Sequence, residues 1–209
     1  MLEIVMLRVR RSLVAATFAL LLASPASALT LGLPDVVSGF IDVTYDSTTD
    51  TFTATGFSLE IDDDGVAPNV ALDASGGFSV VATIDDTGTL VSGTVSVTGT
   101  QTVPLGYVSG TLAAGSITSF SWSGDASGIV FEFGFTFSSG DLASPGTAGG
   151  VILATTLNSF SGFGSDFDNL LFAIPGTGAG TSDTAPIVPE PATALLVACS
   201  LGLAVRRLR

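Results

Sequence analysis

The chain has 209 residues and a formal charge of −13, and its six cations are all arginines at the two ends: Arg8, Arg10, Arg11, Arg206, Arg207 and Arg209. From Leu29 to Ala185 there is no Lys, Arg, His or Cys, while 17 of the 19 acidic residues fall there, which makes that interior far more acidic than the net charge suggests. This inventory excludes serine and cysteine hydrolase arrangements and cationic phosphate clamps, and it argues against nucleic acid or anionic lipid as a partner of the interior, since both are bound by cations that displace counterions.

In chain order, Arg8, Arg10 and Arg11 form a cationic region, Leu13 to Leu22 an apolar run, and Ala26-Ser27-Ala28 a small-residue cleavage site preceded by Pro25. That is the layout of a secretory signal peptide, read here as a signal helix over residues 1–28 removed after Ala28. The apolar run is too short to span a bilayer. Glu3 fits the cationic region poorly, so Met6 stands beside Met1 as a candidate start.

Residues 29–174 read as one all-β domain. Phe40 to Tyr45 and Thr51 to Gly56 form a hairpin, followed by a strand at Phe57 to Ile61. Phe78 to Ile84 and Leu90 to Val97 form a second hairpin around Asp85-Asp86-Thr87-Gly88, whose residues supply an Asx-type bond and a glycine for positive φ. Further strands are expected at Val103 to Leu112, Ile117 to Ser123, Ile129 to Phe137, Val151 to Leu157 and Asn169 to Ile174. Along Ile129 to Phe137 the alternation puts Ile129, Phe131, Phe133, Phe135 and Phe137 on one face, which must be core. Short strands broken by Gly and Asp turns predict a single β-sandwich of jelly-roll type. A β-solenoid would need a fixed repeat, and none is present. Thirteen of the 14 Phe lie in this domain, a content that suits a packed core better than sugar stacking.

Chemistry in the domain is confined to carboxylates, and no catalytic residue is assigned. Asp62, Asp63 and Asp64, with Gly65, follow a strand and offer hard oxygen ligands for a candidate Ca²⁺ site, against the alternative of a solvated acidic turn. Laid on an EF-hand loop starting at Glu60, the pattern fails at position 12, which is Ala71. Asp166 and Asp168 form a weaker candidate, and Asp85-Asp86 is explained by its hairpin. A carboxylate glycosidase would have to pair Glu60 with Glu132, the only interior glutamates, and is the remote reading. A Ca²⁺-assisted module for matrix polysaccharide is the nearer alternative, favoured if Trp122 or Tyr107 is exposed beside Asp residues and disfavoured if both are buried.

Residues 175–187 are rich in Gly, Thr and Pro and read as a linker that cannot bury enough apolar surface to fold. Then come Pro189-Glu190-Pro191, the run Ala192 to Val205 and the cluster Arg206, Arg207 and Arg209. This order over residues 188–209 resembles the PEP-CTERM sorting tail, and its pairing with a signal peptide strengthens the likeness. The resemblance implies a membrane-embedded transpeptidase, exosortase, that reads Pro189, Glu190 and Pro191, removes the anchor and passes the protein outward. The 14-residue run, as a helix roughly 21 Å long, falls short of a bilayer core of about 30 Å, which suits a temporary inner-membrane anchor whose arginines stay on the cytoplasmic side. The prolines hold Glu190 on an extended backbone open to a processing enzyme. Cys199, the sole cysteine, lies in the apolar run, so no intramolecular disulfide forms. The expected product is a non-enzymatic structural or adhesive protein of the cell surface or extracellular matrix, with the secretion machinery and exosortase as its processing partners.

Overall fold

The computed structural model describes residues 29–46, 48–66, 68–85, 87–101, 110–125, 128–155 and 180–188. The signal peptide with Ala26 and Ala28, the expected strand Asn169–Ile174, Asp166, Asp168, Tyr107 and the tail from Pro189 lie outside the described residues.

Among the described residues nine strands form, in order β1 (Asp35–Asp46), β2 (Thr51–Asp62), β3 (Val70–Ala71), β4 (Gly77–Ile84), β5 (Leu90–Gly99), β6 (Gly110–Asp125), β7 (Gly128–Ser139), β8 (Ala148–Thr155) and β9 (Gly180–Pro186). Every pairing is antiparallel, and the order β1-β9-β8-β7-β6-β5-β4-β2 is closed by a further β1–β2 pairing, with β3 appended to β2. Each strand of the ring therefore pairs with its neighbours in sequence, and β9 returns to β1. The result is a closed eight-stranded barrel.

The all-β expectation holds, but the jelly-roll sandwich is corrected. A sandwich leaves edge strands and a jelly roll crosses over between sheets, whereas here the first and last strands pair and remove the edges. The turns are as the sequence predicts. In the β4–β5 turn, Asp85 Oδ1 accepts hydrogen bonds from Thr87 N at 3.0 Å, Thr87 Oγ1 at 2.7 Å and Thr89 N at 2.8 Å, and Gly88 has φ of 81°. Asp46 repeats the device at the β1–β2 turn, with Thr48 N at 2.9 Å and Thr48 Oγ1 at 2.7 Å.

Alternation decides which face of each strand turns inward. β7 gives Ile129, Phe131, Phe133, Phe135 and Phe137 to the interior, all essentially inaccessible, while Glu132, Thr136 and Ser138 point outward. Eight strands enclose a space that side chains can just fill. Phe52 on β2 reaches across to β7 on the opposite wall, its ring 5.0 Å from Phe131 and 5.3 Å from Phe133, so the lumen at that level is solid. Where rings crowd, the wall thins to glycine: a Cβ on Gly149 of β8 would collide with the rings of Phe135 and Phe137. Outward positions carry Thr44, Thr53, Thr55, Ser79, Thr94, Ser96, Ser121 and Thr181, interspersed with the apolar Val37, Val81, Val130 and Ile152.

Several boundaries differ from the sequence reading: β1 begins at Asp35 rather than Phe40, and β6 (Gly110–Asp125) joins the end of the expected Val103–Leu112 strand to the expected Ile117–Ser123 strand, residues 103–109 lying outside the described residues. Thr51–Gly56 and Phe57–Ile61 are one continuous β2. Within the expected linker, Gly180–Pro186 form β9, because β8 and β1 each offer a free ladder that this polar segment satisfies. No helix among the described residues is long and apolar enough to cross a membrane.

Candidate functional site

The described carboxylates concentrate where β1 meets its two neighbours. On the outer face of β1, Asp35 lies opposite Asp62 of β2, and Val37 lies between Glu60 of β2 and Asp183 of β9. Four carboxylates thus share one patch with no cation among the described residues. Asp35 Oδ1 is shielded from water and finds no hydrogen-bond donor among the described residues. Burial first, then repulsion from Asp183, Asp62 and Glu60, pushes the Asp35 carboxyl up to about 6, although a backbone bond from Asp62 works the other way. Burial raises Asp183 as well, while its side chain keeps contact with solvent.

The pH dependence follows from these directions. Between the unfolded carboxylate value near 4 and the folded value near 6, folded Asp35 holds a proton that the unfolded chain has lost, so stability rises as pH falls from 7 toward 5. Discounted for partial exposure, the gain is on the order of 1 kcal/mol. At lower pH the sign reverses. Asp46 and Asp85, held below the usual range by their Thr48 and Thr87 hydrogen bonds, become protonated and lose those caps. Thermal unfolding from pH 3 to 8 is expected to show maximal stability near pH 4–5; a flat or rising profile from pH 5 to 7 would contradict the charge patch.

The predicted metal ligands are committed locally. Asp62 Oδ1 accepts hydrogen bonds from Gly65 N at 2.6 Å and Asp64 N at 3.3 Å, and Asp64 Oδ1 accepts one from Val66 N at 2.8 Å, with Gly65 at φ of 73°. Asp62, Asp63 and Asp64 do not converge, and no group of three or more acidic, His or Cys side chains fit to hold a metal ion exists among the described residues. Glu60 and Glu132 lie on opposite walls and both face outward, Glu60 accepting from Asn69 Nδ2 at 3.0 Å and Glu132 from Ser121 Oγ at 3.1 Å. With the aromatic core between them, they cannot form a glycosidase pair. Trp122 is half-buried against the rim of the core.

A second feature went unread in the sequence. Phe40 is 66% exposed and Phe57 53% exposed, against the expectation that Phe here is core. Both follow a glycine and flank two β-bulges. The β1–β2 register slips between Gly39 and Asp42, and again where Val37 and Ser38 face Glu60 and Ser58, leaving Leu59 as the extra residue. Phe40 has φ of 52°, a left-handed conformation rare for a bulky side chain. Phe40, Phe57 and Leu59, with Leu72, Asp73 and Ala74, line an open groove of about 380 Å³. The signal available in the sequence was the pair Gly39-Phe40 and Gly56-Phe57, a glycine before each outward ring. No family model, no curated protein and no solved structure matches this chain.

Proposed function

We infer that the chain is an exported, non-enzymatic barrel that its two ends address to the cell surface or extracellular matrix, where it serves as a structural or adhesive part. The observation that carries this reading is the tail: Pro189-Glu190-Pro191, an apolar run and Arg206, Arg207 and Arg209, in the order of a PEP-CTERM signal for exosortase. The fold is compatible with two membrane-directed ends. Val188 N donates to Thr30 O at 3.0 Å, Gly32 N donates to Pro186 O at 2.8 Å and Leu31 bridges Ile187, so residues 30–32 and 186–188 lie side by side. Replacing Pro189, Glu190 and Pro191 together by alanine is expected to leave nearly all of the full-length protein in the membrane fraction on immunoblots; undiminished release would refute the sorting role.

A second reading, a polysaccharide-binding module, is favoured by the groove of Phe40 and Phe57, exposed rings of the kind that stack on the apolar faces of sugars. Under it, Phe40→Ala weakens retention on matrix polysaccharide about tenfold in affinity electrophoresis, equivalent to about 1.4 kcal/mol. Unchanged retention would remove this reading. Its Ca²⁺ dependence is tested by repeating the run in EGTA.

A further inference from the structure

We propose that β9 is an exchangeable strand, able to leave the channel between β8 and β1 of its own barrel and fill the same channel in a second copy of this chain. The strand is held differently from every long strand around it. Ala185 is its only contribution to the buried apolar core, whereas β7 supplies five large side chains. Its inward Ser182 and Thr184, and Ser38 facing Ser182 from β1, are all at least 98% buried, and their hydroxyls have no hydrogen-bond partner among the described residues. A buried hydroxyl left unpaired favours the state in which water reaches it. On the outer face Asp183 adds its charge to Asp35, Asp62 and Glu60. Release of β9 therefore takes only one of its own apolar side chains, Ala185, out of the core, hydrates three hydroxyls and relieves one carboxylate.

What remains to hold β9 is its ladder, six paired positions with β8 and Val36, Val37, Ser38 and Ile41 of β1, interrupted by a register shift and prolonged past its end by the Gly32 N–Pro186 O, Ile187 N–Ala148 O and Val188 N–Thr30 O bonds. These bonds do not depend on which molecule supplies the strand. Once β9 leaves, β8 and β1 present two open edges whose spacing and register match a β9, which makes another copy the complementary occupant. Chain connectivity permits the transfer, because 24 residues separate Thr155 from Gly180, a stretch with a maximum reach of about 80 Å. Donor and acceptor use the same bonds in both arrangements, so the balance is set by concentration. Exchange is minor in dilute solution and dominant where molecules crowd on a surface or in a matrix. The acidity of each barrel opposes the approach of a second copy, and salt relieves that repulsion.

The test uses the full chain in a Cys199→Ser background, carrying one further cysteine. Ala154 and Thr181 are outward register partners on β8 and β9. Ala154→Cys and Thr181→Cys proteins with tags of different size are mixed at high concentration, equilibrated and oxidised. A disulfide-linked heterodimer, at least fivefold above a control mixture of Thr94→Cys with Thr181→Cys, is expected, and its yield rises with protein concentration and salt. A double variant carrying both Ala154→Cys and Thr181→Cys reports folding and geometry by closing an internal disulfide in dilute solution. An internal disulfide there, with no heterodimer above control in the mixture, overturns the proposal. Thr184→Val, which replaces an unpaired hydroxyl by a methyl group, is expected to slow heterodimer formation at least threefold; an unchanged rate would also count against release of β9 as the controlling step.

Discussion

Phe131→Ala is expected to destabilise the barrel by about 3–5 kcal/mol. Phe131 is fully buried, meets Phe52 edge-on at 5.0 Å and stacks on Phe120 at 6.2 Å with an interplanar angle of 19°. The partners come from separate strands, and Phe52 stands on the opposite wall. Because each strand of the ring is tied on both sides by a ladder, the walls cannot move inward to fill the gap, and the cavity cost adds to the lost transfer free energy. For a domain of this size, the melting temperature is expected to fall by roughly 10 °C. Phe57→Ala removes the same side chain from an exposed site and is expected to stay within about 0.5 kcal/mol of the parent. Equal losses for the two variants in urea titrations would contradict an aromatic bridge across the lumen.

Gly149→Val is expected to be nearly as damaging, about 3 kcal/mol, for the opposite reason. Gly149 sits opposite Phe135 in the β7–β8 register, and any Cβ there enters the space of the Phe135 and Phe137 rings. Those rings lie 4.7 Å apart, so neither can turn aside without displacing the other. Gly128 supplies the control. An added Cβ there would meet only Thr155 O at 3.7 Å, an ordinary contact, and Gly128→Ala is expected to be neutral or to stabilise slightly by restricting the unfolded chain. Thermal unfolding of both variants separates the two kinds of glycine; a Gly149→Val protein as stable as Gly128→Ala would mean that the rings do not pack against this wall.

How legible these features were depends on the range of the interaction behind them. The inward face of β7 was readable because period-two alternation over Ile129 to Phe137 records which side is buried. The Asp85 turn was readable because its bonds span four residues or fewer. Phe57 and Leu59 show where such reading fails. Their alternation with Ile61 suggests a shared inward face, but the bulge at Leu59 reverses the parity and turns both outward while Ile61 stays inside. The carboxylate patch was equally invisible, since Asp35, Asp62 and Asp183 meet only through strand register.

By itself the sequence determined the acidic, cation-free character of the domain, the all-β class, the turns and the chemistry of both ends, all properties of composition or of neighbours along the chain. Tertiary structure decided that the strands close into a barrel, that a polar Gly-Thr-Ser-Asp-Thr-Ala-Pro segment is its last strand, and that two phenyl rings lie outside. The physical reason is common to all three. A strand's own residues specify its buried face, but its partner and register are set by ladders between segments far apart in sequence. β9 forms because β8 and β1 leave a channel whose backbone hydrogen bonds must be met.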